Sequence, residues 1–197
     1  AASAAALNEA VNIVTTGTST LAQANTAIAA SNSGTTTIAA VSGTSAEIVT
    51  LSIGANDTIT TLSVTGTTTG ADAVTIAAKD TGTNVTNAIA FTNVTGTAAE
   101  LTTVGATVLA AATGTITASA STLAEYTALA TAVTGANIDA YSLTDSYTNL
   151  MVNSTAAGNV DADATITSAT AVTLTDSTIN VSQATAIDSI NTGDRKS

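Results

Sequence analysis

Hydrophobic positions along this chain follow two short rhythms that take turns. In one, Thr or Ser alternates with Ile, Val or Ala: TTTIAAV (35–41), TITTLSV (58–64), AVTIAA (73–78), NAIAF (87–91), GTITASA (114–120), NIDAYSL (137–143) and ATITSATAVTL (164–174). A period of two is that of a strand with one buried face. In the other, apolar residues recur at three and four: LAQANTAIAA (21–30), SAEIVTL (45–51), AAELTTV (98–104), LAEYTALATAV (123–133), SYTNLMV (146–152) and SQATAIDSI (182–190). These read as short helices, and AASAAALNEAVNIV (1–14) reads as a further helix of small residues. Many of the helix starts lie roughly 25 residues apart, the size of one structural repeat. The spacing is irregular over 52–96, where strand signals dominate.

Four of the helices open in the same way. Thr20, Thr44, Thr97 and Thr122 stand where an N-cap belongs, and Gln23, Glu47, Glu100 and Glu125 follow three residues later. At that spacing the hydroxyl takes a backbone N–H and the longer side chain reaches back to the cap, so three of the four Glu residues are accounted for as caps. Glycine-containing turns at 31–34, 134–135 and 191–193 follow three of the helices.

A short helix, a turn and a strand, repeated, predict a mainly β fold: a parallel β-solenoid of roughly 25-residue rungs with short helical turns at its corners. Residues 1–197 form a single repeat domain on this reading, either a fragment of a longer array or a self-assembling protomer. The match of 181–193 to 20–34, followed only by Asp194–Ser197, leads to the expectation of a last rung without its strand and with an uncapped edge.

Composition narrows the possible chemistry. The chain is 45% hydrophobic and only 2% aromatic, so its core must be built from Ala, Val, Ile and Leu. A mean hydropathy of +0.39 and abundant β-branched residues argue against disorder. No apolar run is long enough to insert in a membrane. A formal net charge of −11, with Lys79, Arg195 and Lys196 as the only cations, excludes a phosphate-backbone interface, so no nucleic acid partner is expected. Self-repulsion of that size is best tolerated in an ion-rich setting, which favours an extracellular or cell-surface location.

Without His or Cys, most nucleophile, general-base and transition-metal schemes are unavailable, and no enzyme activity is expected. Lys79, the only interior amine, reads as a solvated partner of Asp80. The site-like feature is acidic. On a strand, Asp161 and Asp163 would share a face with Asn159 beside them, a set of hard oxygens suited to Ca²⁺. The alternative is that Asp139, Asp145, Asp72, Asp80, Asp176 and Asp188, like these two, serve turns by accepting local backbone N–H bonds. Tyr141 and Tyr147 bracket one strand-to-helix corner and are expected to stack there as a plug, or to offer a platform for a cell-surface glycan. Asn-x-Thr/Ser triplets at Asn56, Asn84, Asn93, Asn153 and Asn180 are consistent with exposure.

The segments TLAQANTAIAA, GTSAEIVTL, SLTDSYTNL and VSQATAIDSI resemble the Thr/Ala-rich low-complexity repeats of large exported bacterial surface proteins of the cyanobacterial type, and through them β-solenoid adhesins. The resemblance implies a structural or adhesive role, with Ca²⁺ as a partner, and carries over no catalytic residue. The leading expectation is an extracellular repeat protein that polymerises with copies of itself, or stacks on neighbouring repeats, into a filament, sheath or surface layer. A stalk segment of an adhesin or phage fibre is the alternative, and an ice-binding sheet of outward Thr residues is a further one.

Overall fold

A computed structural model describes residues 4–80, 84–151, 160–190 and 194–195. Eight strands form one parallel sheet: β1 (Ile13–Thr20), β2 (Thr36–Thr44), β3 (Asp57–Thr69), β4 (Val85–Thr97), β5 (Ile116–Ser121), β6 (Ala140–Asp145), β7 (Ala171–Leu174) and β8 (Asp194–Arg195). Ten helices alternate with them: α1 (Ala4–Asn8), α2 (Leu21–Ile28), α3 (Ser45–Val49), α4 (Gly70–Ala77), α5 (Ala98–Val104), α6 (Ala106–Ala110), α7 (Leu123–Ala132), α8 (Tyr147–Met151), α9 (Val160–Ser168) and α10 (Val181–Ile190).

The expected mainly β solenoid is therefore corrected to an alternating α/β fold. Helix takes 39% and strand 34%, and the sheet is open rather than wound on itself. The physical reason lies in the connections. Neighbouring parallel strands need a crossover of a dozen or more residues, and here the crossovers are filled by helices with buried side chains of their own. Ile48 of α3, Ile76 of α4, Leu101 of α5, Leu129 of α7 and Leu150 of α8 are all fully enclosed. Helix α3 packs on α4, α4 on α5 and α5 on α7, so the helices make a layer over one face of the sheet.

Strand order runs β1 to β8 without reversal. Each repeat adds one strand on the same side of the last, in steps of 23 residues (Ile13 to Thr36), 21 (Thr36 to Asp57), 22 (Val94 to Ile116) and 29 (Ser142 to Ala171). Such a sheet has no topological switch point, the crevice where open α/β sheets usually bind ligands.

The core lies between sheet and helices and is stacked by register. Ile38 pairs with Ile59 and Ile59 with Val85, while Val41, Leu62 and Ile89 form the next row. All six are buried, each contributing roughly 1.5–3 kcal/mol. Phe91, the only Phe, sits at its centre in register with Val64.

Polar side chains tie adjacent repeats together at strand entrances. The Asn12 Oδ1 atom accepts the Thr35 N–H at 2.9 Å, and Asn93 Oδ1 accepts the Thr115 N–H at 2.8 Å. In both places a glycine precedes the Thr: a Cβ at Gly34 would overlap Asn12 and the Val11 carbonyl, and one at Gly114 would overlap Asn93 and the Thr92 carbonyl. Among the described residues the register slips at four places: between Thr15 and Thr18, between Ile59 and Thr61, between Val64 and Thr67, and between Ala118 and Ser121. Within the last two slips, Gly66 and Ala120 take positive φ values of 78° and 41°, the left-handed backbone of one type of β-bulge.

Three segments differ from their sequence reading. AVTIAA (73–78) lies in helix α4, with Ala73 and Ile76 buried three apart, and ATITSA is the end of α9, leaving only Ala171–Leu174 as strand. Ile13 and Val14, read as the end of a helix over 1–14, instead open strand β1. The last repeat does have a strand, the two-residue β8 beside Ala171 and Val172.

Candidate functional site

Many of the acidic and amide side chains among the described residues bond to backbone groups. All four expected capping boxes form. Gln23, Glu47, Glu100 and Glu125 accept the N–H of Thr20, Thr44, Thr97 and Thr122 at 2.8 to 2.9 Å. The Thr44 and Thr122 N–H groups, followed by their hydroxyls, hold the Glu47 and Glu125 carboxyls below their ordinary value. Asp57 accepts the Gly54 N–H at 2.9 Å, Asp139 the Ile116 N–H at 2.7 Å and Asp176 the Tyr147 N–H at 2.6 Å. These are the turn and ladder roles that short acidic side chains fill.

Asp145, at the end of β6, is the one buried carboxylate among the described residues. Its oxygens accept the Leu123 and Ser146 N–H groups at 3.1 and 2.8 Å and the Asn149 amide at 2.7 Å. It thereby fastens the start of α7 to the start of α8. A groove of about 810 Å³ runs past it along Ala124, Thr127, Ala128 and Thr131 of α7, and its walls are mostly methyl groups.

Lys79, read as a solvated partner of Asp80, reaches back to the end of a helix. Its Nζ donates to the Val49 and Leu51 carbonyls at 3.0 and 2.7 Å, closing the C-terminal end of α3, and burial lowers its pKa. The aromatic plug also differs in its members. Tyr141 stacks on Tyr126, with ring centroids 3.7 Å apart and planes 19° from parallel, while Tyr147 lies elsewhere at the start of α8. The Tyr141 hydroxyl donates to the Thr165 carbonyl, and burial, with Tyr126 beside it, pushes its pKa up to about 12. With Tyr141 only 6% exposed, that ring offers no open face to a sugar.

Of the residues considered for Ca²⁺, Asn159 lies outside the described residues. Asp161 and Asp163 belong to helix α9, not to a strand. Among the described residues no three acidic side chains gather as a metal-binding group.

Surfaces remain. The sheet face opposite the helices carries small residues: Thr37 pairs with Thr58, and Ser42, Ser63 and Ala90 form one row. The Thr58 hydroxyl donates to that of Thr37 at 3.2 Å. Alanines at 88 and 90 interrupt the hydroxyl pattern, so the regular Thr array of the ice-binding reading is absent from these rows.

Large apolar side chains exposed on the described surface are confined to the first and last repeats. Val11 and Val14 are 66% exposed, Ile179 36% and Val181 82%. Beside β1 a second groove, about 400 Å³, is lined by Leu7, Ile13, Val14, Gln23, Thr26 and Ala27 among others. At the opposite end α10 buries none of its residues. Sequence reading missed these two exposed apolar pairs, although VNIVTT (11–16) carried a signal for the first: its apolar residues fall on both strand faces. Compared with known family models, curated proteins and solved structures, the chain matches none.

Proposed function

We propose that this chain is a structural repeat protein of the cell exterior that assembles with copies of itself into a filament, sheath or surface layer. The observation that carries the reading is the strand order: a parallel sheet that grows in one direction, with the outer edge of β1 unpaired among the described residues. An unpaired edge is a row of backbone donors and acceptors ready for another strand.

Other features support it. Polar and charged side chains are spent on caps, strand entrances and helix ends, which stiffen a scaffold and leave no convergent set for catalysis among the described residues. Stacked small branched residues give a body whose shape is set by main-chain ladders. The strongly acidic balance suits an ion-rich exterior, where salt screens repulsion between copies. Calcium enters this reading as an ion that brings acidic copies together.

Light scattering on a concentration series of the purified chain, with and without millimolar Ca²⁺ at matched ionic strength, tests the proposal. Electron microscopy follows on whatever grows. Ordered polymers are expected, and a calcium effect beyond that of ionic strength would assign the ion a role in assembly. A monodisperse monomer under all conditions contradicts the proposal and favours a passive stalk.

A further inference from the structure

We infer that copies join head to tail, the β1 edge of one copy taking the last repeat of the next as though it were the preceding repeat of its own sheet. This rests on the assembly reading above and names the surface that performs it.

Three observations converge. The exposed large apolar residues lie in two groups, Val11 with Val14 in the first repeat and Ile179 with Val181 in the last. A two-fold joint would need one such group and bury it against itself; a head-to-tail joint uses both. Second, the Ile13 N–H points into the sheet, donating to the Thr35 carbonyl at 2.9 Å. Successive strand amides point to opposite edges, so the Val14 N–H and carbonyl face outward. Third, the groove beside β1 is walled by Gln23, Thr26 and Ala27 of α2, and α10 at the other end buries no residue.

Inside the chain, α3 rests on α4, α4 on α5 and α5 on α7 as their strands pair. Docking α10 of one copy against α2 of another continues that same interface, strand beside strand and helix beside helix. The relation between joined copies is then a repeated step rather than a closed pair, and repetition without closure makes a fibre.

Two single variants and their mixture test this. Val14→Lys puts a charge beside the β1 edge, and Val181→Asp puts one on the opposite end; both sites are largely exposed, and unchanged thermal unfolding checks that each variant folds. Each alone is expected to remain monomeric at concentrations at least about tenfold above the wild-type assembly threshold. Mixed, they are expected to form one-to-one dimers and stop, because the variant at 181 keeps an intact β1 edge and the variant at 14 keeps an intact last repeat.

Dimers of the Val181→Asp chain alone would mean that β1 edges pair with each other, and would overturn the inference. So would polymers of either variant, or a mixture that stays monomeric. In each of those cases wild-type assembly still stands. A wild-type chain that does not assemble overturns both readings and means that something other than a second copy covers these ends.

Discussion

Asn93 and Thr115, on neighbouring repeats, are joined twice: the Asn93 Oδ1 atom accepts the Thr115 N–H at 2.8 Å and its hydroxyl at 3.1 Å. Asn12 and Thr35 repeat the arrangement at the first repeat, at 2.9 and 3.3 Å. Asn93→Ala leaves that backbone donor without its side-chain acceptor, and a loss of about 1–3 kcal/mol in urea unfolding is expected. Gly114→Ala is expected to cost at least as much, because its Cβ meets the Thr92 carbonyl as well as Asn93. Unchanged stability in both variants would mean that these bridges do not hold the repeats in register.

Bulges at equivalent places in β3 and β5 are occupied by different residues. Gly66 has φ of 78° and Ala120 has 41°, and a Cβ costs roughly 1–2 kcal/mol in that region. Ala120→Gly is therefore expected to raise the unfolding midpoint. Gly66→Ala is expected to lower it through backbone strain alone, since nothing stands within 4 Å of the added Cβ. Thermal unfolding of both variants should move in opposite directions.

Thr68 is fully enclosed on β3, and its hydroxyl has no hydrogen-bond partner among the described residues. Its register neighbour is Val94, also enclosed. Thr68→Val keeps the shape and removes the desolvated hydroxyl, so a gain of about 1 kcal/mol is expected by denaturant titration.

Stability should fall at both ends of the pH scale for identifiable reasons. Glu47 and Glu125 have folded pKa values below the ordinary 4.5, so their capping contribution is present above that value and is lost as pH falls through the lower folded one. Gln23 fills the same role at Thr20 without a charge, so Glu47→Gln with Glu125→Gln should keep the caps and flatten the acid limb. Tyr141 acts in the other direction. Its pKa is raised from 10.0 to about 12, so the unfolded chain loses that proton first and stability falls as pH rises between those values. A pH series of unfolding midpoints, with Tyr141→Phe flattening the alkaline limb, measures it.

Capping boxes made α2, α3, α5 and α7 legible in the sequence, because two side chains must agree at a fixed spacing. Helix α4 was hidden by two features. Its N-cap Thr69 is followed at N3 by Asp72, which is too short for the return bond of a box, and Val74 and Ile76 mimic strand alternation. The fold class turned on the same difficulty: short helical segments read as corners become a covering layer once each buries a residue such as Ile48 or Leu101. Asp161 and Asp163 were read as two positions on a strand from their spacing in NVDADAT (159–165), whereas the backbone there belongs to α9. The apolar ends were missed because exposure is a property of the assembled sheet, and Val14 reads like any other strand valine.

Residue-resolved amide hydrogen exchange on β1, at concentrations below and above the assembly threshold, tests the central claim most directly. In the separate chain the Ile13 amide, bonded to Thr35, should already be protected while the outward Val14 amide exchanges freely. On assembly the Val14 amide is expected to slow by at least about tenfold, as a strand from the next copy takes it up. Assemblies in which Val14 exchanges as fast as in the separate chain would contradict growth through the β1 edge.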